Sequence, residues 1–165
     1  MSTLPKLARL ALVACTLSGA AACGAGDDTT DSGDGVTPVF PTDYAATYRE
    51  VRNCRFSLEH DLMHVRVMAS PEALTPYSGR VEAFPPGAVV LKEQYGEDDT
   101  DCTGPIVTTT VMQKLAVGAL PSDLDWTWQE VTPAHHTLPT TPRCVQCHKD
   151  CGKAPDGYDG TCEVP

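Results

Sequence analysis

FPPGAVVLKE, residues 84–93, contains a segment that interrupts regular secondary structure, followed directly by a pattern typical of a β-strand. Pro85-Pro86-Gly87 interrupts regular structure, whereas residues 88–93 form a β-type run. Similar runs occupy residues 64–68, 80–84, 106–114 and 126–131. Several of them alternate polar and apolar residues, as half-buried antiparallel strands do. The pattern predicts an α+β fold that is mainly an antiparallel β-sheet, arranged as a meander.

A few short helices are expected at the periphery of this sheet. One is predicted to begin at Thr42 or Asp43 and to extend through Val51. A second helical turn is predicted at Ser70-Pro71-Glu72, with the serine as cap and the proline in the first helical position. From Thr132 onward, Pro and His replace the strand pattern, and we expect a loop-rich, cysteine-containing C-terminus that needs a covalent link or a cofactor to be ordered.

The first 22 residues have the pattern of a signal peptide. Lys6 and Arg9 form a basic start, and the apolar run over residues 10–22 is shorter than the roughly 20 residues of a membrane-spanning helix. Small residues directly before Cys23 resemble the site at which bacterial lipoproteins are cleaved and acylated. Cys15 is the alternative lipidation site, although cleavage there leaves an apolar run of only about five residues.

Three segments are therefore expected: a signal peptide at 1–22, a lipidated flexible linker at 23–42 rich in Gly, Asp, Thr and Pro, and a single domain at 43–165. Such a protein is exported and is held by its lipid in the cell envelope, in the periplasm or at the outer membrane. The formal net charge of -10 argues against nucleic acid as a partner.

The pentapeptide Cys144-Val145-Gln146-Cys147-His148 contains the side chains that predict a cofactor site. Its two thiols can add to the vinyl groups of haem while the adjacent histidine ligates the iron. A zinc site or a redox-active disulfide can use the same cysteines. An oxidising compartment disfavours zinc, and the sequence has neither a second cysteine-histidine pair at ribbon spacing nor a thioredoxin-like βαβ pattern. We predict one haem c, and the alternative is a non-enzymatic, disulfide-stabilised surface lipoprotein without haem.

This prediction assigns a role to each of the eight cysteines. One is lost with the signal peptide, Cys23 takes the lipid, two take haem, and four remain for two disulfides. Three pairings of those four are possible. The pairing of Cys54 with Cys102, and of Cys151 with Cys162, is favoured because the second bridge closes a small loop directly behind the haem motif.

The layout resembles the cytochrome P-460 family over about residues 48–148. The likeness is carried by residues 84–93 and by the Cys-x-x-Cys-His motif, with weaker similarity at residues 65–67, 111–114 and 125–126. It implies a β-sheet scaffold, one c-type haem and an open distal face that oxidises hydroxylamine or binds nitric oxide, often in a homodimer. The sequence after His148 departs from the family, because a Gly/Asp-rich loop closed by Cys162 replaces the final strand.

In that family a lysine is cross-linked to the porphyrin, and Lys92 occupies the matching position. The alternative for Lys92 is a strand-end lysine in a surface ion pair with Glu93. The expected activity is either electron transfer to an unidentified redox partner or redox chemistry on a small nitrogen oxide, hydroxylamine or peroxide. A carrier needs a second strong axial ligand and an enzyme needs an open one, so the sixth iron ligand discriminates.

Candidates for that ligand are Met63, Met68, Met112, His60, His64, His135 and His136. Of these, His135 and His136 lie close in sequence to the haem motif, and Met68 and Met112 fit core positions of strands. Trp126 and Trp128 project to the same side of their predicted strand. They are expected to pack in the core or to form a wall of the haem pocket.

Overall fold

The computed structural model describes residues 35–138 and 142–162. The predicted signal peptide and the candidate lipidation sites Cys15 and Cys23 lie outside these residues. One six-stranded sheet dominates, and each strand pairs antiparallel with the next along the chain. The strands are β1 (Arg49–Ser57), β2 (Met63–Ala69), β3 (Val89–Tyr95), β4 (Thr108–Lys114), β5 (Trp126–Val131) and β6 (Thr137–Leu138). The predicted antiparallel meander is confirmed.

Helical segments lie at the edges of the sheet. Short 3-10 segments span Tyr44–Ala46, Pro71–Ala73 and Pro121–Asp123, and the α-helices are α1 (Leu74–Gly79) and α2 (Pro142–Cys151). A separate hairpin of β7 (Gly157–Tyr158) and β8 (Thr161–Cys162) follows α2. The C-terminus, predicted to be loop-rich, contains the helix α2 over Pro142–Cys151, and the described residues after it are turns and two strands of two residues each. Within the described residues, we find no helix long and apolar enough to span a bilayer.

The helix predicted to extend from Thr42 or Asp43 through Val51 is wrong beyond its first turn. The 3-10 segment ends at Ala46, and Val51 lies in β1 because pairing with β2 overrides the local helical spacing. Ser70 precedes a helical segment as predicted, but its hydroxyl accepts from the backbone N–H of Val89 at 3.1 Å.

The strand predicted at residues 80–84 is also absent from the structure. Arg80 ends α1 in the left-handed region, with φ of 52°, and this conformation turns the chain away from an extended path. Phe84 nevertheless reaches the core, where it is 3% exposed. The apolar residue is thus inside the protein, as its strand pattern implied, but it enters the core from a loop.

The packed domain begins earlier than the boundary predicted at residue 43. Phe40 is buried, and the backbone N–H of Val39 donates to Oε1 of Gln129 on β5 at 2.8 Å. The side-chain amide of Gln129 donates in turn to the carbonyl of Thr37 at 3.0 Å. Residues 37–40 therefore belong to the domain rather than to a linker.

Apolar side chains alternate to both faces of the sheet, which explains why β3 is buried along most of its length. We call the side carrying Val67, Val90 and Met112 the front face, and the side carrying Leu91 and Val111 the back face. The front core includes Tyr77 of α1, Phe84 and Trp126, whereas the back core includes Phe40, Tyr48 and Val131.

Both described disulfides have the pairing that the sequence favoured. Cys54 on β1 is bonded to Cys102 in the loop after β3, and Cys151 at the end of α2 is bonded to Cys162 on β8. The first links the edge strand of the sheet to an acidic loop. The second closes the short segment that follows the Cys-x-x-Cys-His motif.

Candidate functional site

Helix α2 presents the motif residues on one face. Cys144, Cys147, His148 and Cys151 have the spacing i, i+3, i+4 and i+7, which places their side chains along one helical stripe. Cys144 and Cys147 are not disulfide-bonded, and both are partly buried. Pro142 begins the helix, a position that its fixed φ favours. All four residues of the stripe line the same cavity.

This cavity lies between α2 and the front face of the sheet and has a volume of about 760 Å³. Its walls are mainly apolar and include Val65, Val67, Val90, Met112 and Trp128. Small-molecule and cofactor sites usually enclose ~300–1,000 Å³ and have such walls with a few polar groups. The motif therefore opens into a space of cofactor size.

The orientation of the His148 ring is set by one hydrogen bond. Its Nδ1 lies 2.5 Å from the carbonyl oxygen of Gly160. Because a carbonyl only accepts, Nδ1 carries the hydrogen and Nε2 keeps its lone pair. Burial lowers the pKa of His148 to about 4, and the positive charge of Lys92 acts in the same direction. The ring is thus neutral at pH 7, the form that binds metals.

Lys92 lines the cavity from the centre of the sheet. It pairs with Val67 on β2 and with Thr110 on β4, and its Nζ lies 3.2 Å from Nε2 of His60. Glu93 points to the back face and is 3% exposed. The structure therefore does not support an exposed ion pair between Lys92 and Glu93.

The carboxylate of Glu93 instead forms a buried network on the back face. It accepts hydrogen bonds from Tyr44 and Tyr95 at 2.6 and 2.7 Å, and from Arg66 at 2.6 Å. Burial raises the pKa of both tyrosines, and the adjacent Glu93 adds to the effect. This network belongs to the side of the sheet opposite the cavity.

His60 sits in the loop between β1 and β2 and also lines the cavity. A lysine ammonium only donates, so Nε2 of His60 accepts from Lys92 and Nδ1–H donates to Oγ of Ser57 at 2.8 Å. Burial lowers the pKa of His60 to about 3, with Lys92 as the next contribution. Lys92, His60 and Ser57 thus form a hydrogen-bonded chain at the cavity wall.

The structure divides the predicted sixth ligands into two groups. His60, Met63 and Met112 line the cavity. Met68 packs against the back core, and His64 contacts Phe56 edge to face but does not itself line the cavity. His135 packs against Phe40, and His136 is exposed. His135 and His136 therefore do not fold over the site, although they precede the motif closely in sequence.

The two tryptophans have different surroundings. Trp126 is fully buried in the front core and donates from Nε1 to the carbonyl of Asp159 at 2.9 Å. Trp128 lines the cavity, and its Nε1 is buried with no hydrogen-bond partner in the part of the chain that the structure describes. The core assignment thus fits Trp126, and the pocket-wall assignment fits Trp128.

Sequence reasoning missed the arginines of the cavity. Arg52 and Arg55 of β1 and Arg143 of α2 are among its lining residues. The two on β1 directly follow the segment predicted as a helix, where the sequence indicates no strand. Arg143 lies directly before the motif in the sequence, but a single arginine in that position does not predict a cavity-lining residue.

Among residues 35–138 and 142–162, no cluster of three or more His, Cys, Asp or Glu side chains is arranged to hold a metal ion. Comparison of the chain with protein-family models finds no match, and neither does comparison with curated protein sequences.

Proposed function

We propose that this protein is an exported, lipid-anchored c-type cytochrome that carries one haem in the cavity between α2 and the front face. One observation supports this most strongly. The two cysteines, neither of which is disulfide-bonded, and the histidine of Cys-x-x-Cys-His lie on one helical stripe and line a single cavity of about 760 Å³. The groups for covalent attachment and for iron ligation therefore share one wall.

The residues present fit a haem in three further respects. The walls are mainly apolar, as a tetrapyrrole requires. The cavity lining includes Lys92, Arg52, Arg55 and Arg143, cations that complement the two carboxylates of haem on a chain of net charge -10. The buried Nε1 of Trp128 is a donor that a bound ligand can satisfy.

Each residue of the motif has a defined role in this proposal. Cys144 and Cys147 would hold the haem through thioethers, and His148 would ligate the iron through Nε2 while Nδ1 stays bonded to the carbonyl of Gly160. Haem supplies one-electron redox chemistry when bound. The protein orients the iron ligand and excludes water from the front face of the sheet around the haem.

Redox chemistry on a small nitrogen oxide, hydroxylamine or peroxide is supported by the chain of Lys92, His60 and Ser57. Reduction of a nitrogen oxide or peroxide takes up protons and oxidation of hydroxylamine releases them; Lys92 holds a proton at Nζ, and Nε2 of His60 is an acceptor. Electron transfer is supported by Met63 and Met112, whose thioethers also line the cavity. The spin state decides between them, since a six-coordinate, low-spin iron would exclude the enzymatic proposal.

A cross-link from Lys92 to the porphyrin remains part of the proposal. Lys92 lines the same cavity as Cys144 and Cys147, which a cross-link requires. Proteolysis of the purified protein followed by mass spectrometry tests it. A haem peptide that contains Lys92 together with both cysteines is expected, and a Lys92 peptide of unmodified mass would remove the cross-link but leave the c-type haem intact.

Export is supported by the two disulfides, which persist in oxidising compartments. Lipidation at Cys23 is tested by metabolic labelling with a radioactive fatty acid. Wild-type protein and Cys15→Ser are expected to incorporate label, whereas Cys23→Ser is not. Label that is lost with Cys15→Ser instead would move the lipidation site.

Covalent haem is tested with a pyridine haemochrome spectrum after expression with a bacterial cytochrome c maturation system and extraction with acid acetone. We expect the c-type spectrum to remain with wild-type protein and to be lost with the double variant Cys144→Ser/Cys147→Ser. The matched control, Cys54→Ser/Cys102→Ser, removes two cysteines that do not line the cavity and should keep its haem. A colourless wild-type protein would favour the haem-free lipoprotein.

A further inference from the structure

The chain after α2 folds back against the helix. The backbone N–H of Gly152 donates to the carbonyl of His148 at 2.9 Å, and the N–H of Gly160 donates to the carbonyl of Gly152 at 2.9 Å. The disulfide between Cys151 and Cys162 closes the segment. We call residues 157–162 the C-terminal hairpin. It is the element whose Gly160 carbonyl holds the imidazole of His148.

Asp159 attaches this hairpin to the sheet. Its Oδ1 accepts from Nζ of Lys114 on β4 at 2.7 Å, and the two side chains are 25% and 8% exposed. Its backbone carbonyl accepts from Nε1 of Trp126 on β5 at 2.9 Å. Lys114 is itself held by the carbonyl of Leu124 at 3.0 Å and lies 4.8 Å from the Trp126 ring centroid. One residue of the hairpin is thus bonded to two buried side chains of the sheet.

Gly160, the next residue, is confined by the same surroundings. Its φ is +84°, a conformation that side-chain-bearing residues rarely adopt, and an added Cβ would lie 3.0 Å from Nε1 of Trp126. A carbonyl in this position has little freedom to turn. The direction in which it accepts from His148 is therefore set by contacts to β4 and β5.

From this geometry we infer that Asp159 and Lys114 are positioning residues for the axial ligand. The inference rests on the proposed haem site. The connection runs from Lys114 to the carboxylate of Asp159, through one peptide unit to the carbonyl of Gly160, and from there to Nδ1 of His148. A firm acceptor at Nδ1 orients a histidine ring and increases the basicity of Nε2. The carboxylate and the lysine thereby control how strongly His148 donates to the iron.

Spectroscopy of the iron distinguishes this role from that of a purely structural ion pair. Weakening the support of Gly160 weakens the hydrogen bond at Nδ1, so Nε2 becomes a poorer donor and the ferric state is less stabilised. The midpoint potential should shift upward, and the iron–histidine stretching band of the five-coordinate ferrous protein should shift to lower frequency. Unfolding stability alone would not report this change.

The test compares holoprotein carrying Asp159→Asn with holoprotein carrying Asp156→Asn. Both replace an aspartate in the same segment, but Asp156 is exposed and its side chain bonds neither to the sheet nor to α2 among the described residues. We expect covalent haem in both, an upward potential shift and a lower iron–histidine frequency in Asp159→Asn, and wild-type values in Asp156→Asn. Wild-type values in both variants would overturn the inference and leave the haem proposal standing.

A second variant covers the case in which Asp159→Asn does not fold. Lys114→Arg keeps the positive charge but replaces the compact ammonium by a wider guanidinium, so the ion pair must shift while it persists. The same two readouts should move in the same direction by a smaller amount. A folded Lys114→Arg holoprotein with unchanged potential and frequency would equally overturn the inference. A wild-type chain without covalent haem would instead remove the proposed function and this inference together.

Discussion

The indole of Trp128 packs against the imidazole of His148, with ring centroids 4.6 Å apart and ring planes inclined by 58°. The contact joins β5 to α2 across the wall of the cavity. It fixes one side of the imidazole, while the hydrogen bond to Gly160 fixes the rotation of the ring. Together these contacts define the direction of Nε2.

Replacing each tryptophan by phenylalanine should separate their roles. Trp126→Phe loses the hydrogen bond to Asp159 and leaves space in a fully buried site, so we expect about 2–3 kcal/mol of destabilisation. Trp128→Phe should cost less than about 1 kcal/mol, because it also removes a buried N–H without a partner among the described residues. Urea unfolding of the full chain measures both. An equal or reversed order would contradict these assignments.

The two disulfides should differ in what their loss changes. Cys54 and Cys102 are 48 residues apart and Cys151 and Cys162 are 11 apart, so loop entropy predicts losses of about 4 and about 3 kcal/mol for the respective double serine variants. Chemical denaturation of each variant provides the values.

The two double serine variants should affect the haem spectrum in the opposite order to their losses of stability. Loss of the bridge at Cys151 frees the hairpin that carries Gly160, whereas Cys54 and Cys102 lie at the β1 edge. We therefore expect an altered iron–histidine band only for Cys151→Ser/Cys162→Ser. A change of similar size in the Cys54→Ser/Cys102→Ser protein would argue against a local role for the hairpin.

The strands that the sequence predicts correctly are those whose alternation is regular. β2, β3, β4 and β5 pair residue by residue, so the period of two is preserved along each of them. β1 has register shifts between Glu50 and Arg52 and between Arg52 and Arg55, and these irregularities break the alternation. A sequence pattern based on a period of two therefore misses β1 and, with it, the arginines of the cavity.

Helix α2 escapes prediction for a different reason. Its cavity-facing stripe consists of partly buried cysteines and a histidine, not of large apolar residues that pack into a core. The spacing of Cys144, Cys147, His148 and Cys151 does contain the helical signal. Interpreted only as a haem motif and a disulfide partner, these residues do not reveal the helical face that they share.

The contact between Lys92 and His60 lies beyond sequence reasoning. The two residues are 32 positions apart, and His60 reaches the cavity from a loop in which Asp61 and Leu62 both have positive φ. Neither an aspartate nor a leucine predicts a positive φ, although aspartate tolerates it better than leucine does. Proximity of this kind depends on the backbone path of one loop, which composition does not determine.

Removing the charge of Lys92 should raise the pKa of His60. Burial lowers this pKa to about 3 and Lys92 adds to the effect, so Lys92→Met should move it upward while burial keeps it below 6.5. Proton–nitrogen NMR of the histidine rings during a pH titration measures the shift. Lys149→Met is the matched control, because Lys149 lines the groove on the other side of α2. A pKa of His60 that is unchanged in Lys92→Met would contradict the contact.

The same depressed pKa makes stability depend on pH. Below pH 6.5 the unfolded chain protonates His60 while the folded protein does not, so the unfolded state binds more protons and the free energy of unfolding falls as the pH falls. The loss should begin near pH 6.5 and continue down to about pH 3. Because His60 lines an open cavity, solvent screening limits its contribution to on the order of 1–2 kcal/mol.

His60→Gln should remove this part of the pH dependence, because glutamine does not titrate. Urea unfolding of wild-type protein and His60→Gln at a series of pH values isolates the contribution as the difference between the two curves. We expect a constant difference above pH 6.5 and, below it, a wild-type curve that falls relative to that of the variant, since only the wild-type protein loses stability through His60. Wild-type and His60→Gln curves that stay parallel to pH 4 would show that His60 is not buried as a neutral base.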